Sequence, residues 1–337
     1  MIGKKDALLV LVGLALFGFA AERIGWAAVI RAIEQAWVGV AIILGLSSVR
    51  LTLQTRSWSI ALRSDGIESS ASELMFIRLA SQGMGYLSVL GPVASEPMKI
   101  SLVRRSGAVG SAPTAATLVD TGVYWFASAL FGIAGCLAAA LSLTHGRHSA
   151  ASFVIVGSIL LAPLFLIARP TSWLSPPVKA LGSRCPRWLE KAGRIEIAMR
   201  EFAHQYPAAI RKMFVLDAVC QVLLIAEIVA FFWCLKIPLR PGTVLGIDGA
   251  TRGIKILAGW MPARIGADES GVAGAFLAFG LSPASGLTLA LSRRLRDLLA
   301  AFIGLTWLAW SAKFRKVSAS IPQPSYSIEE RMTCRLY

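Results

Sequence analysis

The chain has 337 residues, 55% of them hydrophobic and only 16% charged, and its 34 Lys and Arg against 19 Asp and Glu give a formal net charge of +15. About a quarter of the residues in a soluble domain are charged, and so few charges could not cover a water-facing surface of this size. A soluble Rossmann or barrel enzyme, a nucleic-acid module and a disordered regulator are excluded, and the sequence reads as an integral membrane protein.

Lys4-Lys5 precede a first apolar stretch at 7–21, which ends Phe19-Ala20-Ala21 without the small-x-small pattern of a cleavage site and is expected to remain as a helix. Further spans are expected at 37–53, 115–141, 151–168, 213–235 and about 283–311, six in all; a spanning helix takes about 20 apolar residues. The segment 169–212 carries nine Lys/Arg against three Glu and is expected on the cytoplasmic side, with 188–206 as a helix on the membrane surface. Both termini then fall in the cytoplasm. Residues 1–312 are read as one transmembrane domain and 313–337 as a cytoplasmic tail.

Two stretches, Glu73 to Arg105 and Thr243 to Gly280, have to enter and leave on one side. The first is broken at Gly91-Pro92 and the second around Met261-Pro262, where proline interrupts a helix. Of the chain's 30 glycines, 10 fall within 242–286, which suits close-packed, interrupted helices. These read as two re-entrant hairpins. A shift of 173 places Glu96 on Glu269, Gly107 on Gly280 and Asp120 on Arg293. The fold class expected is therefore all-α: a polytopic helical membrane protein with six spans and two hairpins in an inverted-topology repeat, the first copy at about 73–141 and the second at about 243–311. Transporters build midplane sites from discontinuous helices in this way.

The first hairpin reads Gly91-Pro92-Val93-Ala94-Ser95-Glu96-Pro97-Met98-Lys99, and the second Pro262-Ala263-Arg264-Ile265-Gly266-Ala267-Asp268-Glu269. At these residues, and at Arg293 or Arg294 on the last helix, the chain resembles the lysylphosphatidylglycerol synthase transmembrane-region family of flippase-like membrane proteins. The similarity covers about residues 40–312. Asp120-Thr121 stands where family members often carry an acid-Arg pair, and Ser95 where glycine is usual. The resemblance implies movement of an aminoacylated phospholipid between leaflets, or handling of a glycolipid or isoprenoid-linked intermediate, in the cytoplasmic membrane of a bacterium. Only 26 residues follow Ser311, so no lipid-aminoacylating domain is expected on this chain. A lipid-synthesising enzyme encoded separately is the partner implied.

Charge inside a bilayer is expensive and asks for a partner or a polar cavity. Arg293, Arg294, Arg296 and Asp297 lie well inside the last expected span. Arg293 and Asp297 can pair at i, i+4, and the surplus arginines suit a lipid phosphate. Glu96 and Glu269 each stand near the start of a half-helix, where capping and head-group recognition are both open. Lys99 can pair with Glu96 or meet phosphate. Asp248, Arg252 and Lys255 form one polar stripe. The substrate-binding candidates are Glu96, Lys99, Asp120, Arg252, Lys255, Arg264, Glu269, Arg293, Arg294 and Asp297.

Cys136, Cys185, Cys220, Cys234 and Cys334 show no CxxC, and His145 and His148 have no third ligand nearby, so neither a metal nor a cofactor is expected. No HExxH, Walker A or GxSxG sequence occurs, and no nucleophile stands with a base. The expected function is a lipid translocase. The alternative is a membrane-embedded subunit or enzyme of lipid, glycolipid or cell-envelope biosynthesis.

Overall fold

The computed structural model describes residues 26–87, 92–105, 112–142, 197–258, 264 and 266–320. Every regular element among them is helical: α1 (Trp26–Ser64), α2 (Ala71–Leu87), α3 (Pro92–Arg105), α4 (Ala112–Ser142), α5 (Pro207–Cys234), α6 (Pro241–Leu257), α7 (Ala267–Ala278) and α8 (Pro283–Ser320). Residues 197–205, within the expected surface helix, are helical as well. Pro207 and Pro241 open α5 and α6 at the first turn, where the missing N–H would have had no partner.

Among the described residues, three helices are long and apolar enough to cross a membrane: Trp37–Ser64 within α1, Ala112–Ser142 and Pro207–Cys234. They contain the expected spans at 37–53 and 115–141 and nearly all of 213–235. The expected span at 283–311 is one continuous helix within α8, but the charges at 293–297 interrupt its apolar run. The stretches expected to span at 7–21 and 151–168, and the first part of the basic loop, lie outside the described residues. The breaks expected in the two hairpins fall between α2 and α3 and between α6 and α7, and in each case the two helices pack against one another.

Elsewhere α1 lies along α5, α2 along α8 and α4 along α6. The last two contacts close through glycine. A Cβ on Gly304 of α8 would stand 2.3 Å from the carbonyl carbon of Leu79 in α2, and one on Gly249 of α6 would stand 2.7 Å from the backbone nitrogen of Cys136 in α4. Only a hydrogen fits, so backbone meets backbone.

Two large apolar clusters are packed among the helices. Trp58, Leu62, Leu74, Ile77, Leu102, Val119 and Met213 belong to one, and Ile228, Phe232, Val244, Ile247, Val272, Leu289 and Ile43 belong to the other. Taken in that order, each residue stands 170 positions from its counterpart, with the last pair reversed in direction. Both ends of α2 and α6 keep the same offset, 71 to 241 and 87 to 257.

The 173-residue shift that aligns Glu96 with Glu269 is therefore three residues out of register with the packing. At 170, Glu269 falls opposite Lys99, and Arg293 opposite Val123. Ser47 donates to Glu227 at 3.0 Å and Ser57 to Asp217 at 3.3 Å, so α1 and α5 run antiparallel. The offset carries Ser47 onto Asp217 and Ser57 onto Glu227, which makes each bond the counterpart of the other.

Candidate functional site: a charged cavity among the helices

A cavity of about 440 Å³ opens between α1, α2, α3, α4, α5, α6 and α8. Its wall carries seven cations, Arg50, Arg78, Lys99, Arg252, Lys255, Arg264 and Arg296, against three acids, Glu96, Asp120 and Asp297. Tyr86, Tyr124 and Trp125 supply aromatic faces.

On one side, Arg78 of α2 reaches Asp120 of α4 at 2.6 Å, with both side chains almost fully buried. Arg78 is the base that Asp120 does not find in its neighbour Thr121; it comes from another helix, so local spacing could not reveal it. Lys99 binds Glu96 at 2.9 Å, as the i, i+3 spacing suggests, and Thr121 donates to the other oxygen of Glu96 at 2.9 Å. Arg78 and Lys99 both lie over the Trp58 ring, at 5.8 and 5.9 Å from its centroid.

On the other side, Arg252 forks onto both oxygens of Asp248 at 2.8 and 3.2 Å and reaches Ser128 of α4 at 2.8 Å. Its Nη1 also donates to Gln221 of α5. Arg264 binds Asp268 at 3.0 Å and lies 5.9 Å from the centroid of Tyr86. Lys255, the third member of the expected stripe, faces the cavity.

Behind the wall sits a second layer of charge. Glu269 is fully buried; its Oε2 accepts the Gly266 N–H at 2.8 Å, and Arg294 Nε lies 2.8 Å from its Oε1. Capping is thus what Glu269 does. The i, i+4 pair expected between Arg293 and Asp297 is not formed. Arg293 turns toward α5 and lies 3.3 Å from Glu227, while Asp297 pairs with the adjacent Arg296 at 2.9 Å. Arg296 also binds Glu227, which makes that fully buried acid the shared counterion of two arginines.

Of the residues expected at the site, Glu96, Lys99, Asp120, Arg252, Lys255, Arg264 and Asp297 line one cavity, whereas Glu269, Arg293 and Arg294 brace it from behind. Arg50 and Arg78 were missed by sequence reading. Each is a cation inside a mostly apolar helix, and that alone is a signal of function or pairing. Among the described residues, no group of three or more His, Cys, Asp or Glu could hold a metal ion, and the His145/His148 pair lies outside them. Comparison with protein-family models, with curated proteins and with solved structures finds no match to this chain.

Proposed function

We propose that this chain is a flippase-like lipid translocase of a bacterial cytoplasmic membrane. Its cavity holds the head group of an anionic, aminoacylated or glycosylated lipid while the acyl chains stay in the bilayer. The observation that carries this reading is the cavity wall, with seven cations against three acids set among helices of which three are apolar enough to cross a membrane. Arginine forks match phosphate oxygens, and in a membrane interior the two wall cations without an ion pair, Arg50 and Lys255, are costly without an anionic ligand.

The constant offset of 170 between the two apolar clusters, together with the antiparallel α1 and α5, supports two inverted halves, each with a re-entrant hairpin. Six spans with both termini in the cytoplasm complete this arrangement. The glycine contacts join the first hairpin arm of each half to the long helix of the other, and smooth backbone contacts of this kind suit small sliding motions between the halves. Such motion would open the cavity to one leaflet at a time. A separately encoded lipid-synthesising enzyme would supply the substrate.

Leaflet exchange of labelled anionic and glycosylated lipids in proteoliposomes of the purified chain tests this. Exchange above protein-free vesicles is expected, with loss of at least about tenfold in Arg264→Gln, whose cavity-facing pair is partly exposed and can be broken at little cost to folding. A folded protein that exchanges none of these lipids would overturn the reading in favour of a non-transporting subunit of lipid or envelope biosynthesis.

A further inference from the structure

Pairing the buried charges leaves two cations and one acid over. Arg78 is taken by Asp120, Lys99 by Glu96, Arg252 by Asp248, Arg264 by Asp268 and Arg294 by Glu269. Arg293 and Arg296 share Glu227 and Asp297. Arg50 and Lys255 form no ion pair and donate no hydrogen bond among the described residues, and both line the cavity. Asp217, the acid left over, is buried on α5 and is held by Ser57.

Arg78 adds donors to the same space. It is 5% exposed and spends only Nη2 on Asp120, while its Nε and Nη1 meet no acceptor. A buried guanidinium edge without acceptors is costly unless a ligand supplies them. The cavity volume of about 440 Å³ is that of a small-molecule site.

Resting on the reading of this cavity as a lipid head-group site, we infer that Arg50, Lys255 and the free edge of Arg78 bind a doubly charged phosphate. The two cations without an ion pair line the cavity, and the unpaired Asp217 does not, so at the wall they match a terminal phosphomonoester, which carries a charge of about −1.5 to −2 at neutral pH, or a diphosphate. The single charge of a phosphodiester leaves one of the two cations unbalanced. The substrate class is therefore a lipid ending in, or linked through, a phosphomonoester or diphosphate.

The test is equilibrium binding to the full chain in phosphatidylcholine nanodiscs, read by tryptophan fluorescence, since Trp58 lies beside Arg78 and Lys99 and Trp125 lines the cavity. The probes are phosphatidic acid, phosphatidylglycerol and inorganic pyrophosphate. Phosphatidic acid is expected to bind about tenfold more tightly than phosphatidylglycerol, and Arg50→Gln and Lys255→Gln are each expected to cost it about tenfold. Lys255→Arg, which keeps the charge, retains binding, and Arg211→Gln on the exposed surface has no effect.

Competition by pyrophosphate at low concentration would support the doubly charged site and assign it to a free phosphate. Equal affinity for the two lipids would overturn the inference. So would unchanged phosphatidic acid affinity in the double variant Arg50→Gln/Lys255→Gln with a wild-type unfolding midpoint. Tight phosphatidic acid binding without leaflet exchange keeps the site and removes only the translocase reading.

Discussion

Gly66 and Lys236 occupy the same backbone position 170 residues apart: each follows a long helix, each is left-handed, at φ of +72° and +53°, and each donates its N–H to the carbonyl three residues back. Ile67 and Ile237 then close the same turn onto Leu62 and Phe232. Glycine reaches this conformation freely, whereas lysine carries a Cβ penalty there. Lys236→Gly is expected to stabilise the protein by about 0.5–1 kcal/mol and Gly66→Ala to destabilise it by a similar amount. Unfolding midpoints in detergent check both signs.

Glu227 is the shared counterion of Arg293 and Arg296, at 3.3 and 2.9 Å, and it also accepts from Ser47. Removing one partner of a buried ion pair leaves its charge uncompensated, at a cost of about 3–5 kcal/mol. Glu227→Ala is expected to lie in that range, and Ser47→Ala to cost only about 1 kcal/mol. Denaturant unfolding separates the two; near-equal losses would show that the arginines do not depend on Glu227.

How much of this was legible in sequence follows from the reach of each interaction. Helix breaks at proline, the apolar runs of α1, α4 and α5, and the local pairs Glu96–Lys99 and Asp248–Arg252 are encoded within a turn or a window, and they appear where the spacing puts them. Arg78–Asp120 spans 42 residues and Arg296–Glu227 spans 69, and no periodicity announces either. The offset of 170 was hidden from the sequence because polar residues differ across it. At that offset Arg78 stands against Asp248, Ser57 against Glu227 and Gly66 against Lys236, whereas the apolar positions and the helix ends repeat.

The glycine contacts make a graded series. A Cβ at Gly304 or Gly249 would stand 2.3 or 2.7 Å from backbone atoms of the facing helix, whereas one at Gly274 meets nothing within 4 Å. Gly304→Ala and Gly249→Ala are expected to cost about 1–3 kcal/mol through forced separation of α2 from α8 and of α4 from α6. Gly274→Ala, within α7, is expected to be neutral or to gain about 0.5–1 kcal/mol of helix propensity. If all three alanines gave one unfolding midpoint, the backbone contacts would not be those described.

A cavity that moves lipid between leaflets opens to each face of the membrane in turn, and two-sided labelling of one wall residue reads that opening. Thr121, which lines the cavity and donates to Glu96, becomes the single thiol in Thr121→Cys once the five native cysteines are replaced by serine. A membrane-impermeant maleimide is applied to right-side-out and to inverted vesicles. Labelling from both sides, slowed from each by excess phosphatidic acid, is the expected result; labelling from one side alone at every lipid composition would contradict translocation through this cavity.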